Sequence, residues 1–372
     1  MNIVVDENIP LAAEAFSTFG SVTAVSGRAI EASMLRETQM LLIRSVTRVD
    51  AALLEGSAVK FVASATVGID HIDTDYLKAN NIGFAYAPGS NADSVAEYVL
   101  SALCVISGWG KRSLSDLTLG IIGVGNIGSR VFRHAITLGM NVILCDPPKK
   151  RLLHSELYRP LNEILENADV ISLHVPLTTA GEDATFRMVN RNFLASVKKG
   201  AVLINTSRGR VIDEVALLDR RKDLGGLVLD VWENEPAINP DLVNVTDIAT
   251  PHIAGYSYDG KLRGTKALYD AACAWFFKTS EWEPALTDAP VELSLSNEYE
   301  PFSHAILQAY PIENDDRGLR KIVALEKVEQ SRHFDDLRRN YPKRREFSGF
   351  TIRKDSCGKE VLQKLMSLGF QG

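Results

Sequence analysis

The segment Gly123-Val124-Gly125-Asn126-Ile127-Gly128 constrains this chain more than any other. A run of small and branched residues, Thr118–Gly123, leads into it, and a helix-like stretch, Ile127–Leu138, leads out. A second apolar run, Asn141–Cys145, follows and ends at Asp146, 18 residues beyond Gly128. A bare GxGxxG is a weak signal, because glycines are common in turns. The order strand, glycine turn, helix, strand, acid is what a dinucleotide-binding unit requires. Gly123 allows the tight turn, Gly125 lets the backbone approach a pyrophosphate, and Gly128 lets the helix pack on the sheet. The helix start at Asn126 and Ile127 offers free N–H groups to phosphates. Asp146 is suited to accept hydrogen bonds from ribose hydroxyls, and its charge repels a 2′-phosphate. Pro147 and Pro148 follow it rather than an arginine. NAD is therefore expected over NADP, with Lys149 and Lys150 nearby weighing the other way.

The rest of the chain repeats the pattern. Ile3–Val5, Met40–Arg44 and Phe61–Ala63 read as strands, Pro10–Phe19 and Asp50–Leu54 as helices, and Ser94–Ser107 as a long apolar helix. Val170–His174, Ala201–Asn205 and Leu227–Val231 are further strand candidates. Short apolar runs alternating with amphipathic segments predict parallel sheets covered by helices. At ~150 residues per domain, 372 residues suggest two or three domains. Prolines 284 and 290 mark a linker, after which Arg317–Glu329 and Lys359–Leu368 read as helices and Gly349–Arg353 as a strand. The expected fold is α/β, with two Rossmann-like doubly wound parallel-sheet lobes and a small C-terminal α+β module.

Net charge excludes some functions. The formal charge of -6 argues against a nucleic-acid partner, which needs a basic footprint. The acidic excess lies in residues 1–285, whereas residues 286–372 carry 14 basic and 14 acidic groups, acidic first and basic later. No apolar stretch approaches the ~20 residues of a spanning helix, so no membrane association is expected. Cys104, Cys145, Cys273 and Cys357 form no CxxC pair, and no metal site is expected. A cytoplasmic location follows.

Three charged groups stand after apolar runs in the second half of the dinucleotide region. Arg208 lies in Asn205-Thr206-Ser207-Arg208-Gly209, Glu235 in Asp230-Val231-Trp232-Glu233-Asn234-Glu235-Pro236, and His252 after the run Val245–Ala249. Ligands of open α/β sheets bind at the carboxyl ends of strands. Each residue alone has an ordinary explanation, as a surface arginine, a turn glutamate or a packed histidine. Together they form a cation, an acid and a proton carrier, the set that oxidation of a hydroxy acid needs.

The motifs VGIDHID (67–73), GIIGVGNIG (120–128), NTSRG (205–209), DVWENEP (230–236) and PHIAGY (251–256), in this order, resemble the D-isomer-specific 2-hydroxyacid dehydrogenases. The resemblance implies an NAD-dependent dehydrogenase with Arg208, Glu235 and His252 as its catalytic set. The opening VDENIP (5–10), CDPP (145–148), AGY (254–256) and LRRNYPKRREFSGF (337–350) resemble one branch of that family more narrowly. That branch acts on a small phosphorylated 2-hydroxy acid and is a homodimer through a C-terminal domain. It implies substrate contacts at Ser45, Thr66 and Tyr256, and NAD contacts at Asp146, Asp230 and Gly255. Val175 departs from it, standing where a threonine is expected. The implied domains are a substrate lobe over 1–95 completed by 256–285, an NAD lobe over 96–255, and a dimerisation domain over 286–372.

Two sources of cations for a substrate phosphate stay open. One is Arg44, and the other is the run Lys343-Arg344-Arg345, which reads equally well as a solvated charged face. Alternatives to this activity are a 3-phosphoglycerate or other D-2-hydroxyacid dehydrogenase, and a non-catalytic NAD-sensing module.

Overall fold

The computed structural model describes residues 1–286, 288–296 and 300–372. It divides into two compact units, Met1–Asn91 with Ser257–Asp288, and Ala92–Tyr256 with Ala289–Gly372.

In the first unit five parallel strands, β1 (Asn2–Asp6), β2 (Ser21–Val25), β3 (Met40–Ile43), β4 (Phe61–Ser64) and β5 (Gly83–Tyr86), stand in the order β2-β1-β3-β4-β5. β3 and β4 are buried throughout, as strands covered on both faces must be. The helix Tyr258–Trp275 returns to this sheet, capped by the Ser257 hydroxyl on the Gly260 N–H. It places Leu268, Tyr269, Ala272 and Cys273 against Ile3, Val5, Phe16, Met40 and Phe61. The helix expected over Pro10–Phe19 is only Ala12–Phe16, because Leu11 turns left-handed at φ 56°. β2 and β5 are absent from the sequence reading. Both are partly exposed edge strands; Ser21 and Thr23 break the apolar pattern of β2, whereas β5 carries the short apolar run Phe84-Ala85-Tyr86.

The second unit holds β6 (Thr118–Ile122), β7 (Asn141–Cys145), β8 (Val170–Leu173), β9 (Val202–Asn205), β10 (Gly226–Leu229) and β11 (Ile248–Ala249). All are parallel, in the order β11-β10-β9-β8-β6-β7. A lone parallel bridge from Leu144 to Tyr158 lies beyond β7, where a dinucleotide-binding sheet carries its third strand. The run Val245–Ala249 is split. Val245 ends the helix Pro240–Val245, and only Ile248 and Ala249 join the sheet.

Residues 289–372 pack onto this second unit. β12 (Val291–Leu293) pairs with β13 (Phe350–Ile352) in parallel. Leu293, Ile306, Phe347, Leu365 and Phe370 share one core with Val99, Leu103, Val131 and Leu138. Each such buried side chain contributes about 1.5–3 kcal/mol. The helix expected over Arg317–Glu329 does not exist as one element. The chain is helical over Glu313–Arg320, tightens over Lys321–Ala324, and restarts at Lys327–Arg339. The break inserts Leu319 and Ile322 together with Phe334 into the second core. The fold is therefore α/β with two Rossmann-like parallel sheets and a small C-terminal α+β segment.

Candidate active site

The glycine loop joins β6 to the helix Asn126–Thr137. Gly123 has φ 88°, and a Cβ there would lie 2.5 Å from the His174 carbonyl oxygen. A Cβ at Gly128 would lie 2.1 Å from the Gly123 carbonyl oxygen, so the helix meets the strand at backbone distance. At Gly125 no atom stands within 4 Å of the Cβ position. This bare residue caps a helix whose N-terminus has no side-chain cap, leaving backbone donors for an anion. The Asp146 carboxylate braces the loop. Its Oδ2 accepts the Val124 N–H at 2.9 Å and its Oδ1 the Lys149 N–H at 3.0 Å. The Lys149 ammonium donates to the Val124 carbonyl, and that of Lys150 to Glu156. Both lysines thus have partners of their own, Lys149 in the loop and Lys150 on the surface.

The candidate acid–base residues follow the ends of β9, β10 and β11. After β9, the Asn205 side chain accepts the Ser207 N–H and hydroxyl and donates to the Arg208 carbonyl. The Cβ position of Gly209 falls 1.9 Å from the Trp232 carbonyl carbon, so the Arg208 turn lies directly against the segment that leads to Glu235. Glu235 Oε1 accepts the Trp232 N–H at 2.9 Å, and Oε2 meets His252 Nδ1 at 2.7 Å. With Nδ1 donating to the carboxylate, His252 Nε2 is left to exchange a proton. Burial would push the Glu235 carboxyl up. The charges of His252 and Arg338, with these two hydrogen bonds, outweigh it and hold the group below its ordinary value.

Asp230 is 1% exposed. Its Oδ1 accepts the Thr250 hydroxyl at 2.6 Å and the Ile253 N–H at 2.8 Å, and its Oδ2 accepts the Ala254 N–H at 2.9 Å. It therefore holds the loop that carries His252 and Gly255, and any nicotinamide contact would use the remaining capacity of a carboxylate already bonded three times. The Tyr256 hydroxyl accepts from Arg338 at 2.9 Å. In the first unit, Ser45 and Thr66 follow the carboxyl ends of the neighbouring strands β3 and β4. Ser45 is exposed, while the Thr66 hydroxyl donates to the Gly68 carbonyl at 2.7 Å.

The cation candidates change meaning. Arg44 Nε lies 3.0 Å from the buried Asp6 carboxylate. Arg344 is no part of a solvated face, being 8% exposed. It donates to the Ser94 and Ala254 carbonyls, both at 2.8 Å, and lies over the Tyr310 ring. Arg338 and Arg344 both touch the His252–Tyr256 loop, and sequence reasoning gave neither that place. The basic run 343–345 was a signal for Arg344 alone, and the partners of Arg338 and Arg344 lie 82 and 90 residues away. Among the described residues, no cluster of histidine, cysteine and acidic groups is arranged to hold a metal ion. Among the same residues, no helix is long and apolar enough to cross a membrane.

Comparison with known proteins agrees with this geometry. Residues 106–254 match the D-isomer specific 2-hydroxyacid dehydrogenase NAD binding domain, and residues 284–369 match a domain family of unknown function. The erythronate-4-phosphate dehydrogenase of Salinibacter ruber is 44% identical over 95% of this chain and 94% of its own length. That of Marinobacter nauticus is 43% identical over 100% and 99%. Among solved structures, D-lactate dehydrogenase from Aquifex aeolicus, complexed with NAD and lactic acid, superposes with a TM-score of 0.62 at 29% identity, over 74% of this chain and 96% of that one. NAD-bound 3-phosphoglycerate dehydrogenase of Entamoeba histolytica gives 0.63 at 27% identity, over 76% and 98%.

Proposed function

This chain belongs to the D-isomer-specific 2-hydroxyacid dehydrogenase family, with erythronate-4-phosphate dehydrogenases as near-full-length relatives, and from that premise we propose that it oxidises 4-phospho-D-erythronate at C2. The product is 2-oxo-3-hydroxy-4-phosphobutanoate, and the step serves pyridoxal 5′-phosphate formation. NAD, when bound, supplies the hydride acceptor. The residues to hold it are Gly123, Gly125, Asn126, Ile127 and Gly128 at the phosphates, Asp146 at the ribose, and Asp230 and Gly255 nearer the nicotinamide.

The observation that carries the reading is the 2.7 Å contact of His252 Nδ1 with Glu235, beside the docked turn of Arg208. His252 Nε2 takes the C2 hydroxyl proton as the C2 hydrogen leaves with its electron pair, and the C–O bond becomes a carbonyl. Glu235 fixes the imidazole tautomer and stabilises the imidazolium that forms. Arg208 offers its forked donors to the substrate carboxylate and polarises the C2 oxygen. Ser45, Thr66 and Tyr256 hold the rest of the substrate.

The test is NADH formation by the purified protein with 4-phosphoerythronate, 3-phosphoglycerate, D-glycerate and D-lactate. The highest kcat/KM is expected for 4-phosphoerythronate, and a higher value for 3-phosphoglycerate would overturn the assignment. Residues 1–95 with 256–285 serve as the substrate lobe, 96–255 as the NAD lobe, and 286–372 as the dimerisation domain. A monomer in light scattering at micromolar concentration would refute the last assignment. The location is cytoplasmic, which suits four free cysteines, three of them buried.

A further inference from the structure

Arg338 stands in the last turn of the helix Lys327–Arg339, where a cation complements the helix dipole. Its side chain nevertheless turns inward. Nη2 donates to the Tyr256 hydroxyl at 2.9 Å. The guanidinium lies 5.6 Å from the centre of the Tyr256 ring and 5.8 Å from that of Phe334. Nε is buried without a hydrogen-bond partner. Burying a guanidinium is costly unless opposite charge and aromatic faces compensate. Burial works against the charge of Arg338, but Tyr256, Glu235 and Asp230 outweigh it and raise its pKa. A tail residue thus draws its compensation from the loop and carboxylates around His252.

The loop after β11 is pinned at three points. Asp230 takes the N–H groups of Ile253 and Ala254, Arg344 donates to the Ala254 carbonyl, and Arg338 holds the Tyr256 hydroxyl. Two of these three pins come from residues 289–372. Arg338 is the one whose charge also reaches Glu235. That carboxylate already uses one oxygen on the Trp232 N–H and the other on His252.

We propose that Arg338 is a positioning residue of the His252 centre, fixing the Tyr256 hydroxyl and with it the loop that carries the imidazole. The proposal rests on the acid–base reading of Glu235 and His252. It makes the C-terminal segment part of the catalytic apparatus of its own protomer, in addition to any role in pairing. Arg338 acts through its neighbours, with Nη2 on the Tyr256 hydroxyl and Nε enclosed.

The experiment compares Arg338→Ala, Arg338→Lys and the exposed neighbour variant Arg339→Ala in the NADH assay, with NADH affinity read by fluorescence. Arg338→Ala is expected to lose about 10²-fold in kcat, the scale of an ångström's misplacement. Its NADH affinity should stay within about twofold, and Arg339→Ala should behave as wild type. Added guanidinium ion should recover a large part of the loss in Arg338→Ala, and Arg338→Lys should fall between the two. Turnover in Arg338→Ala equal to that of Arg339→Ala would overturn the proposal. A loss that guanidinium does not relieve, accompanied by a lowered Tm, would also overturn it by showing a purely structural role. His252→Ala in the same assay separates the two levels. If it keeps near-normal turnover, the acid–base reading fails. If it is inactive while Arg338→Ala is normal, only the positioning role fails.

Discussion

The two parallel sheets share a construction, yet their first strand-to-helix turns are chemical opposites. After β1 the chain runs Asp6-Glu7-Asn8-Ile9-Pro10, and the Asp6 carboxylate accepts the Asn8 N–H at 2.9 Å and pairs with Arg44. The helix that follows is five residues long. After β6 the turn is Gly-Val-Gly-Asn-Ile-Gly, and the helix that follows has twelve residues and no side-chain cap. Neither helix has a side-chain cap, but the first turn carries its own carboxylate on a backbone donor. The glycine turn carries none and borrows Asp146 from the end of β7 for the Val124 N–H, leaving the N–H groups of the helix start for an anion. Similar folds therefore do different work, because function resides in the turn and not in the sheet.

The largest expected effect tests where the chemistry sits. His252→Ala should lower kcat by ~10²–10⁴, the range for lost general acid–base catalysis. Ser45→Ala, in the first unit, should leave kcat nearly unchanged and raise KM for the substrate by only about two- to tenfold, the scale of one hydrogen bond. Steady-state assays of both variants check the division. Equal kcat losses would erase the distinction between a reacting unit and a holding unit.

The next pair compares glycines. A Cβ at Gly128 would strike the Gly123 carbonyl at 2.1 Å, whereas one at Gly27 would strike the Asp6 carboxylate at 2.2 Å. Gly128→Ala should weaken NADH binding by about 10²-fold, since backbone must move in the loop itself. Gly27→Ala should lower Tm and leave NADH affinity within about twofold. Fluorescence titration beside thermal melts reads both, and a comparable loss of NADH affinity in the two variants would break the comparison. Asp146→Asn sharpens it further. The substitution keeps the shape and one of the two backbone bonds but removes the charge, so the NAD-to-NADP preference should fall about tenfold.

How much of this was legible in the sequence follows the same division. The interior strands β3, β4, β8 and β9 announce themselves as apolar runs, because both faces are covered. The edge strand β2 does not, since Ser21 and Thr23 dilute the pattern. Gly128 and Asp146 could be read because their partners lie within or next to one βαβ unit. Arg338 and Arg344 could not, because tertiary packing alone brings them to Tyr256 and Ala254. A basic run in sequence looks the same whether it faces water or is buried under aromatic rings. The helix Pro301–Ala309 was legible in hindsight, with Pro301 at its first turn and the Glu300 carboxylate capping Phe302 and Ser303.

The smallest effect concerns acid. Burial pulls the His174 imidazole down to about 3, between the hydroxyls of Ser172 at 2.9 Å and Thr206 at 3.4 Å. Burial and Arg133 pull His134 down to about 4. Both belong to the second unit. In the unfolded chain a histidine takes its proton near pH ~6.5. Between that pH and the lowered folded values the unfolded state binds more protons, so each buried neutral histidine costs stability as pH falls. An asparagine at 174 places a polar atom where Nδ1 meets the Thr206 hydroxyl and does not titrate. His174→Asn should therefore lose fewer degrees of Tm than wild type between pH 7 and pH 5, whatever its Tm at pH 7. The difference should be a few degrees, since one group is removed from a long chain. Parallel Tm curves for the two proteins would show that His174 is protonated in the folded state as readily as in the unfolded one. Acid sensitivity could then no longer be assigned to the burial of this imidazole in the second unit.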